Sequence, residues 1–232
     1  KIRGAEALVR WHHPKKGIIY PSEFIPLAER TGTIAAIGEW VLETACTTLA
    51  RWHRAGFQNL TMSVNVSAIQ LHQANLIYTI KEVLEKTGVA PQLLILEITE
   101  TAVMGNVDFA IRLLKKIKNI GVQLGIDDFG TGYSSLSYLK KMPMDELKID
   151  QAFVNDMLED PDNGTIVDAI IQLGHSLGLS VVAEGTESRA EIDYLQRCHC
   201  DVAQGYFYAK PLPRDQFLEL LKNQKPLIQE RN

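Results

Sequence analysis

Five carboxylates, Glu6, Glu97, Asp127, Asp128 and Glu184, fall within or at the carboxyl ends of short apolar runs. Asn65, Lys148 and Gln204 occupy the same kind of position, with Glu100 and Asp150 just beyond two of the runs. Gathered in a partly desolvated site, these acids cannot all stay ionised unless cations neutralise them. Lys148 alone does not balance five of them, so one or two divalent ions are the simplest resolution. Carboxylate, amide oxygen and water are ligands for hard ions such as Mg²⁺ or Mn²⁺. No histidine ends a run, which argues against zinc and non-haem iron. One such acid on its own reads as a helix N-cap, and Asp127-Asp128 before a glycine-rich turn reads as turn chemistry. The recurrence on every run is what points to a site.

The elements that must position these groups are legible as an alternation. Ala5–Val9, Leu60–Val66, Leu93–Ile98, Val122–Ile126, Glu146–Ile149, Leu179–Ala183 and Asp201–Ala203 read as seven strands, most of them nearly continuous in Val, Ile, Leu and Ala. Between them, Ile37, Trp40, Val41, Thr44, Thr48, Leu49 and Trp52 recur at helical spacing, as do Ala110, Leu113, Leu114 and Ile117, and then Ile166, Val167, Ile170, Ile171, Gly174 and Leu177. Gly56, Gly88, Gly121 and Gly178 read as helix stops, and Pro21-Ser22 and Pro213 as helix starts. Strand–helix alternation implies a parallel sheet with right-handed crossovers. A polar residue at the end of every strand favours a barrel, whose strand ends converge on one mouth, over an open sheet with one crevice. The expected fold is therefore α/β, a (β/α)8 TIM-like barrel with its first strand upstream of Lys1. Residues 1–221 read as one domain and 222–232 as a polar tail.

Composition excludes other classes. The 232 residues carry a formal charge of −4, so a nucleic-acid polymer is not an expected partner. No run of 18 apolar residues or signal peptide is present. Cys46, Cys198 and Cys200 are an odd set that fits a reducing compartment, and Cys198-His199-Cys200 is too tight for ordinary zinc spacing. The opening Lys1-Ile2-Arg3, already strand-like and without Met, reads as part of a longer protein.

The motifs themselves are specific as a set. They are Glu6-Ala7-Leu8-Val9-Arg10-Trp11, Ser63-Val64-Asn65-Val66-Ser67, Glu97-Ile98-Thr99-Glu100, Asp127-Asp128-Phe129-Gly130-Thr131-Gly132-Tyr133-Ser134-Ser135, Leu147-Lys148-Ile149-Asp150, Ala183-Glu184-Gly185-Thr186-Glu187, Gln204-Gly205-Tyr206 and Lys210-Pro211-Leu212. In this order, from about Gly4 to Leu221, the sequence closely resembles the EAL-domain family of bacterial cyclic di-GMP phosphodiesterases. The resemblance implies hydrolysis of cyclic di-GMP to linear pGpG by attack of a metal-activated water on one phosphodiester bond. Glu6, Asn65, Glu97 and Asp127 would hold one Mg²⁺ or Mn²⁺, and Asp127, Asp128 and Glu184 a second. Glu6, Lys148 and Glu184 form the implied catalytic set, with Lys148 orienting the attacking water. Whether Glu184 is a ligand in a two-metal site or general base in a one-metal site stays open. Leu8, Arg10, Asp150 and Gln204 are the implied substrate contacts. Glu187 supports the site, and Glu100 anchors the loop containing Gly130 and Ser134.

The same resemblance implies a homodimer, upstream sensory or GGDEF-type domains, and a cytoplasmic location in a full-length protein for which a membrane anchor stays open. It also implies a first strand antiparallel to the rest. The competing reading is a catalytically silent receptor that binds cyclic di-GMP without cutting it; a sugar-phosphate barrel enzyme and a dinucleotide fingerprint in the Gly130 loop have less support. His12-His13 reads as a solvated loop, the Trp40–Trp52 stripe as helix core, and Tyr206, Phe207 and Pro211 either as core or as a ledge for a base.

Overall fold

The structure is a computed structural model that describes residues 1–130 and 136–223. Ser134 and the tail from 224 to 232 lie outside the described residues. Strand β1 (Gly4–Ala7) leads into a hairpin of β2 (Trp11–His13) and β3 (Gly17–Ile19), then helices α1 (Pro21–Thr31) and α2 (Ile34–Arg54). Next come β4 (Thr61–Asn65), α3 (Ala68–Leu71), α4 (Leu76–Thr87), β5 (Leu94–Thr99), α5 (Glu100–Met104) and α6 (Val107–Lys118). The chain continues through β6 (Gln123–Phe129), α7 (Leu136–Leu139), β7 (Glu146–Ile149), α8 (Gln151–Asn155) and α9 (Pro161–Ser176). It ends with β8 (Ser180–Ala183), α10 (Arg189–Arg197), β9 (Val202–Ala203) and α11 (Arg214–Lys222).

All seven expected strands form one sheet in the order β1-β4-β5-β6-β7-β8-β9, each pair parallel. The sheet curls into a barrel wall. No strand pairs β1 with β9 among the described residues, yet their side chains meet: Gln204 Nε2 donates to Glu6 Oε2 at 2.7 Å. At the other end, Arg3 Nη1 donates to Ser180 Oγ at 3.0 Å.

Successive strand residues face opposite sides, and the two sides of this wall differ sharply. Met62, Val64, Leu94, Leu96, Ile98, Leu124, Ile126, Leu147, Ile149, Val181 and Ala183 join the helices in one apolar core. The alternate set includes Glu6, Ser63, Asn65, Glu97, Gly125, Asp127, Glu146, Lys148 and Ser180 together with the apolar Ile95 and Val182, and is mostly polar. Apolar burial therefore fixes the backbone from outside and leaves the inner face free for chemistry.

Several local expectations need correction. Trp40 is 58% exposed and is not core. The inward stripe of α2 is Leu42, Ala45, Cys46, Leu49 and Trp52, and Trp40 lies off that face. His12 and His13 are in the hairpin rather than a loop; His13 Nδ1 accepts the N–H groups of Lys15 and Lys16, and Trp11 packs edge-on against Phe24. Tyr206, Phe207 and Pro211 are exposed, which removes their core reading. No helix among the described residues is long and apolar enough to cross a membrane.

Opposite the mouth, two aspartates staple strand beginnings. Asp145 Oδ2 accepts Leu124 N–H and Lys118 Nζ, each at 2.8 Å. Asp201 Oδ2 takes Val181 N–H at 2.8 Å and meets His175 Nε2 at 2.9 Å. Asp145→Ala leaves a buried N–H without its acceptor and is expected to cost about 1–3 kcal/mol, read as a lower urea midpoint with unchanged slope. Thr186 is fully buried, and its Oγ1 has no partner among the described residues. Thr186→Val keeps the shape and is expected to stabilise by about 1 kcal/mol; a lower melting temperature would refute that.

Candidate active site

The β6–β7 register sets the geometry of the mouth. Ile126 pairs with Leu147 and Phe129 with Ile149, so Asp127 and Asp128 together stand opposite the single residue Lys148. This is a β-bulge, which bends the strand and re-aims its side chains. Asp128 adopts φ of 54°, a left-handed conformation that aspartate tolerates better than most residues. Regular pleating would send the two aspartates to opposite faces. With the bulge, one carboxylate oxygen from each of Asp127, Asp128 and Glu184 lies within 4.8 Å of the other two.

Lys148 occupies the centre of the mouth, with its side chain 2% exposed. Its Nζ lies 2.7 Å from Glu184 Oε1, 2.8 Å from Glu97 Oε2, 3.2 Å from Asp127 Oδ1 and 3.7 Å from Glu6 Oε2. Glu6 is held instead by two amides: Asn65 Nδ2 donates to Oε1 and Gln204 Nε2 to Oε2, each at 2.7 Å. With its nitrogen on Glu6, Asn65 keeps Oδ1 for a cation. Pairing of Asn65 with Glu97, and of Thr99 with Asp127, carries the cluster across β4, β5 and β6.

The electrostatics follow from burial. Burial pushes the Glu97 carboxyl up to about 8, with Lys148 opposing and Glu6 and Asp127 adding repulsion. Burial likewise lifts Glu184 to about 7, opposed by Lys148. Asp128 rises to about 6 through burial and its neighbours Asp127 and Asp150, the latter also its hydrogen-bond partner. Burial alone would lower the Lys148 ammonium, but Glu97, Glu6, Glu184 and Asp127 outweigh it and hold Lys148 well above its usual range. An all-oxygen acidic set with carboxyl groups pushed up by crowding fits hard divalent cations.

The expected site residues separate into groups. Glu6, Asn65, Glu97, Asp127, Asp128, Lys148, Glu184 and Gln204 converge, and Asp150 joins through Asp128 while its Oδ1 caps α8 at Ala152 N–H. Leu8 is 43% exposed, beyond the end of β1. Arg10 Nη1 donates to Val9 O at 2.8 Å and its guanidinium lies over the Tyr20 ring. Glu100 is buried; its Oε2 takes Gly130 N–H at 3.5 Å, while Oε1 has no partner among the described residues. Gly130 has φ of 103°, and a Cβ there would stand 2.8 Å from the Phe153 ring. Glu187 is exposed, and its backbone N–H is held by Glu191 Oε2 at 2.6 Å.

Two features of the site escaped the sequence reading. Glu146 is buried on the same inner face as Lys148, two residues earlier, where burial raises its carboxyl. Strand alternation counted back from Lys148 would have found it. Gly205 lets the turn after Gln204 approach the Thr186 backbone, where a Cβ would sit 2.1 Å from Thr186 O. That close approach fixes Gln204 against β8 and has no sequence signal beyond the glycine.

The family model described as EAL domain matches residues 1–211. The bifunctional diguanylate cyclase/cyclic di-GMP phosphodiesterase MucR of Pseudomonas aeruginosa is 45% identical over 215 residues, which are 93% of this chain and 31% of that protein. The cyclic di-GMP phosphodiesterase NbdA of the same species is 43% identical over 222 residues, 96% of this chain and 28% of that protein. The chain thus spans about a third or less of the length of these relatives. The solved structure titled PaMucR phosphodiesterase, c-di-GMP complex superposes with a TM-score of 0.91 at 44% identity, covering 94% of this chain and 88% of that one. A family match over nearly the whole chain, and relatives this similar, place the protein in the EAL domain family.

Proposed function

We propose that this domain is a divalent-cation-dependent phosphodiesterase that opens cyclic di-GMP to linear pGpG. The observation that carries the reading is the convergence of Asp127, Asp128 and Glu184 within 4.8 Å beside the buried Lys148, with none of the implied ligands replaced. The names of MucR and NbdA support the same chemistry and substrate.

In this reading, Glu6, Asn65, Glu97 and Asp127 hold one Mg²⁺ or Mn²⁺, and Asp127, Asp128 and Glu184 a second. When bound, such ions lower the pKa of water and polarise a phosphodiester oxygen. The chain's own residues do the rest. In the one-metal alternative, Glu184, which burial lifts to about 7, would instead accept a proton from the attacking water near neutral pH. Lys148 directs three N–H donors into the mouth and offsets charge that builds on phosphorus oxygens. Asn65 and Gln204 lock Glu6 in one orientation. Arg10, fixed over Tyr20, and Leu8 at the rim contact the nucleotide, and Gln204 and Asp150 line its path. Water oxygen bonds to phosphorus, the phosphorus–O3′ bond breaks, and O3′ leaves as a hydroxyl after taking up a proton. Glu100 anchors the loop through Gly130, and Ser134 and Glu187 act from the periphery. Homodimerisation, upstream sensory or GGDEF-type domains and a cytoplasmic setting complete the proposal.

Turnover decides it. With full-length protein, Mg²⁺ or Mn²⁺ is expected to support loss of cyclic di-GMP and appearance of pGpG, and EDTA to abolish it. Glu184→Gln is expected to lower kcat at least ~100-fold with little change in nucleotide affinity. Binding without turnover in either ion would falsify the enzyme reading and leave a receptor.

The cation reading also fixes a pH trend in stability. Glu97 and Glu184 titrate at about 8 and about 7 in the folded chain, well above exposed carboxylates. The folded state then binds more protons than the unfolded state between about pH 5 and 8, so stability falls as pH rises. In EDTA the melting temperature is expected to drop across that window, and saturating Mn²⁺ to flatten the drop. A melting temperature that rises with pH in EDTA would contradict this.

A further inference from the structure

We propose that Lys148 is the resident counter-cation of this site, holding its carboxylates together in protein without divalent ions, and that incoming divalent ions exchange against it. The inference rests on the divalent-cation reading above but concerns a second role for this lysine, separate from orienting water.

Donor accounting carries the first half. An ammonium has three N–H donors. Lys148 Nζ has three carboxylate oxygens within 3.2 Å, from Glu184, Glu97 and Asp127. Glu6, at 3.7 Å, has both oxygens satisfied by Asn65 and Gln204 instead. Every donor of the lysine is therefore committed, to acids from β5, β6 and the end of β8, while Lys148 itself stands on β7. One ammonium ties four consecutive strand ends at the place where like charges crowd.

Overlap of ligand sets carries the second half. Two of the three acids bound to Lys148, Asp127 and Glu184, belong to the group of three whose oxygens lie within 4.8 Å of one another. An ammonium and a divalent ion sharing those carboxylates repel each other. Lys148 cannot escape by swinging into solvent, because its side chain is 2% exposed. Each ion bound must weaken the lysine's hold, and the lysine must weaken each ion's. Such coupling is reciprocal and is commonly worth a factor of about 5 to 150 in affinity.

Lys148→Met removes the charge at similar length; Lys148→Arg keeps it. Both are compared with wild type in the full chain, by calorimetric titration with MnCl₂ alone and by thermal unfolding. Lys148→Met is expected to bind Mn²⁺ about tenfold tighter than wild type, to melt lower in EDTA, and to recover in saturating Mn²⁺. Lys148→Arg is expected to bind Mn²⁺ no tighter than wild type. A Lys148→Met protein that folds only when Mn²⁺ is present supports the counter-cation role. Equal or weaker Mn²⁺ binding by Lys148→Met overturns the exchange, and unchanged melting in EDTA overturns the counter-cation role. Wild-type protein that binds neither Mn²⁺ nor Mg²⁺ overturns the divalent-cation reading itself, and the exchange with it.

Discussion

Like charges a few ångströms apart repel by several kcal/mol even at an effective dielectric of about 20. The mouth of this barrel holds Glu6, Glu97, Asp127, Asp128 and Glu184 under that constraint, with one buried ammonium among them. Every other feature of the site answers to it. Two amides neutralise nothing but hold Glu6 by hydrogen bonds, Asp128 leans on Asp150, and burial lifts Glu97 and Glu184 towards neutral pH. A protein selected for stability alone would gain by replacing such a cluster with apolar side chains of similar volume. The presence of such a cluster is an argument from energetics, independent of family membership, that the acids serve to meet cations.

The wall that carries the cluster divides its labour by face. Outward-facing Leu94, Leu96, Ile98, Leu124, Ile126, Leu147 and Ile149 are buried in the apolar core, which supplies the strands with packing separate from the lumen charges. That independence lets the lumen hold a charge arrangement that does not stabilise the fold. Among the described residues, regular pairing yields to the site at the Asp127-Asp128 bulge: a strand with perfect alternation could offer one aspartate to the mouth, not two.

How much of this could be read from the sequence depends on the distance over which each feature is specified. The seven strands were legible as short apolar runs, four of them preceded by a helix stop, and the positive-φ glycines at 56, 88, 121 and 178 confirm those stops. The converging residues Glu6, Asn65, Glu97, Asp127, Lys148, Glu184 and Gln204 were legible because parallel strands deliver their carboxyl ends to one rim. What failed was what depends on angle or on partners far along the chain. Trp40 shares the helical spacing of α2 but not its inward direction, and five apolar residues elsewhere on the helix outcompete it. The hairpin from Trp11 to Ile19 has no apolar alternation to announce it. The bulge was invisible for a different reason: adjacent aspartates look like a turn, and only their register against Lys148 shows two residues facing one.

Glu6 is the acid whose place depends most on side-chain contacts. Among the described residues its strand, β1, pairs with β4. At the mouth Glu6 is tied by Gln204, and at the opposite end Arg3 reaches Ser180. Both are exposed side-chain contacts, worth far less than a strand ladder. Glu97, Asp127 and Lys148, by contrast, stand on strands paired on both sides. Loss of the Asn65 or Gln204 contact would therefore free the Glu6 side chain while Glu97, Asp127 and Lys148 keep their register.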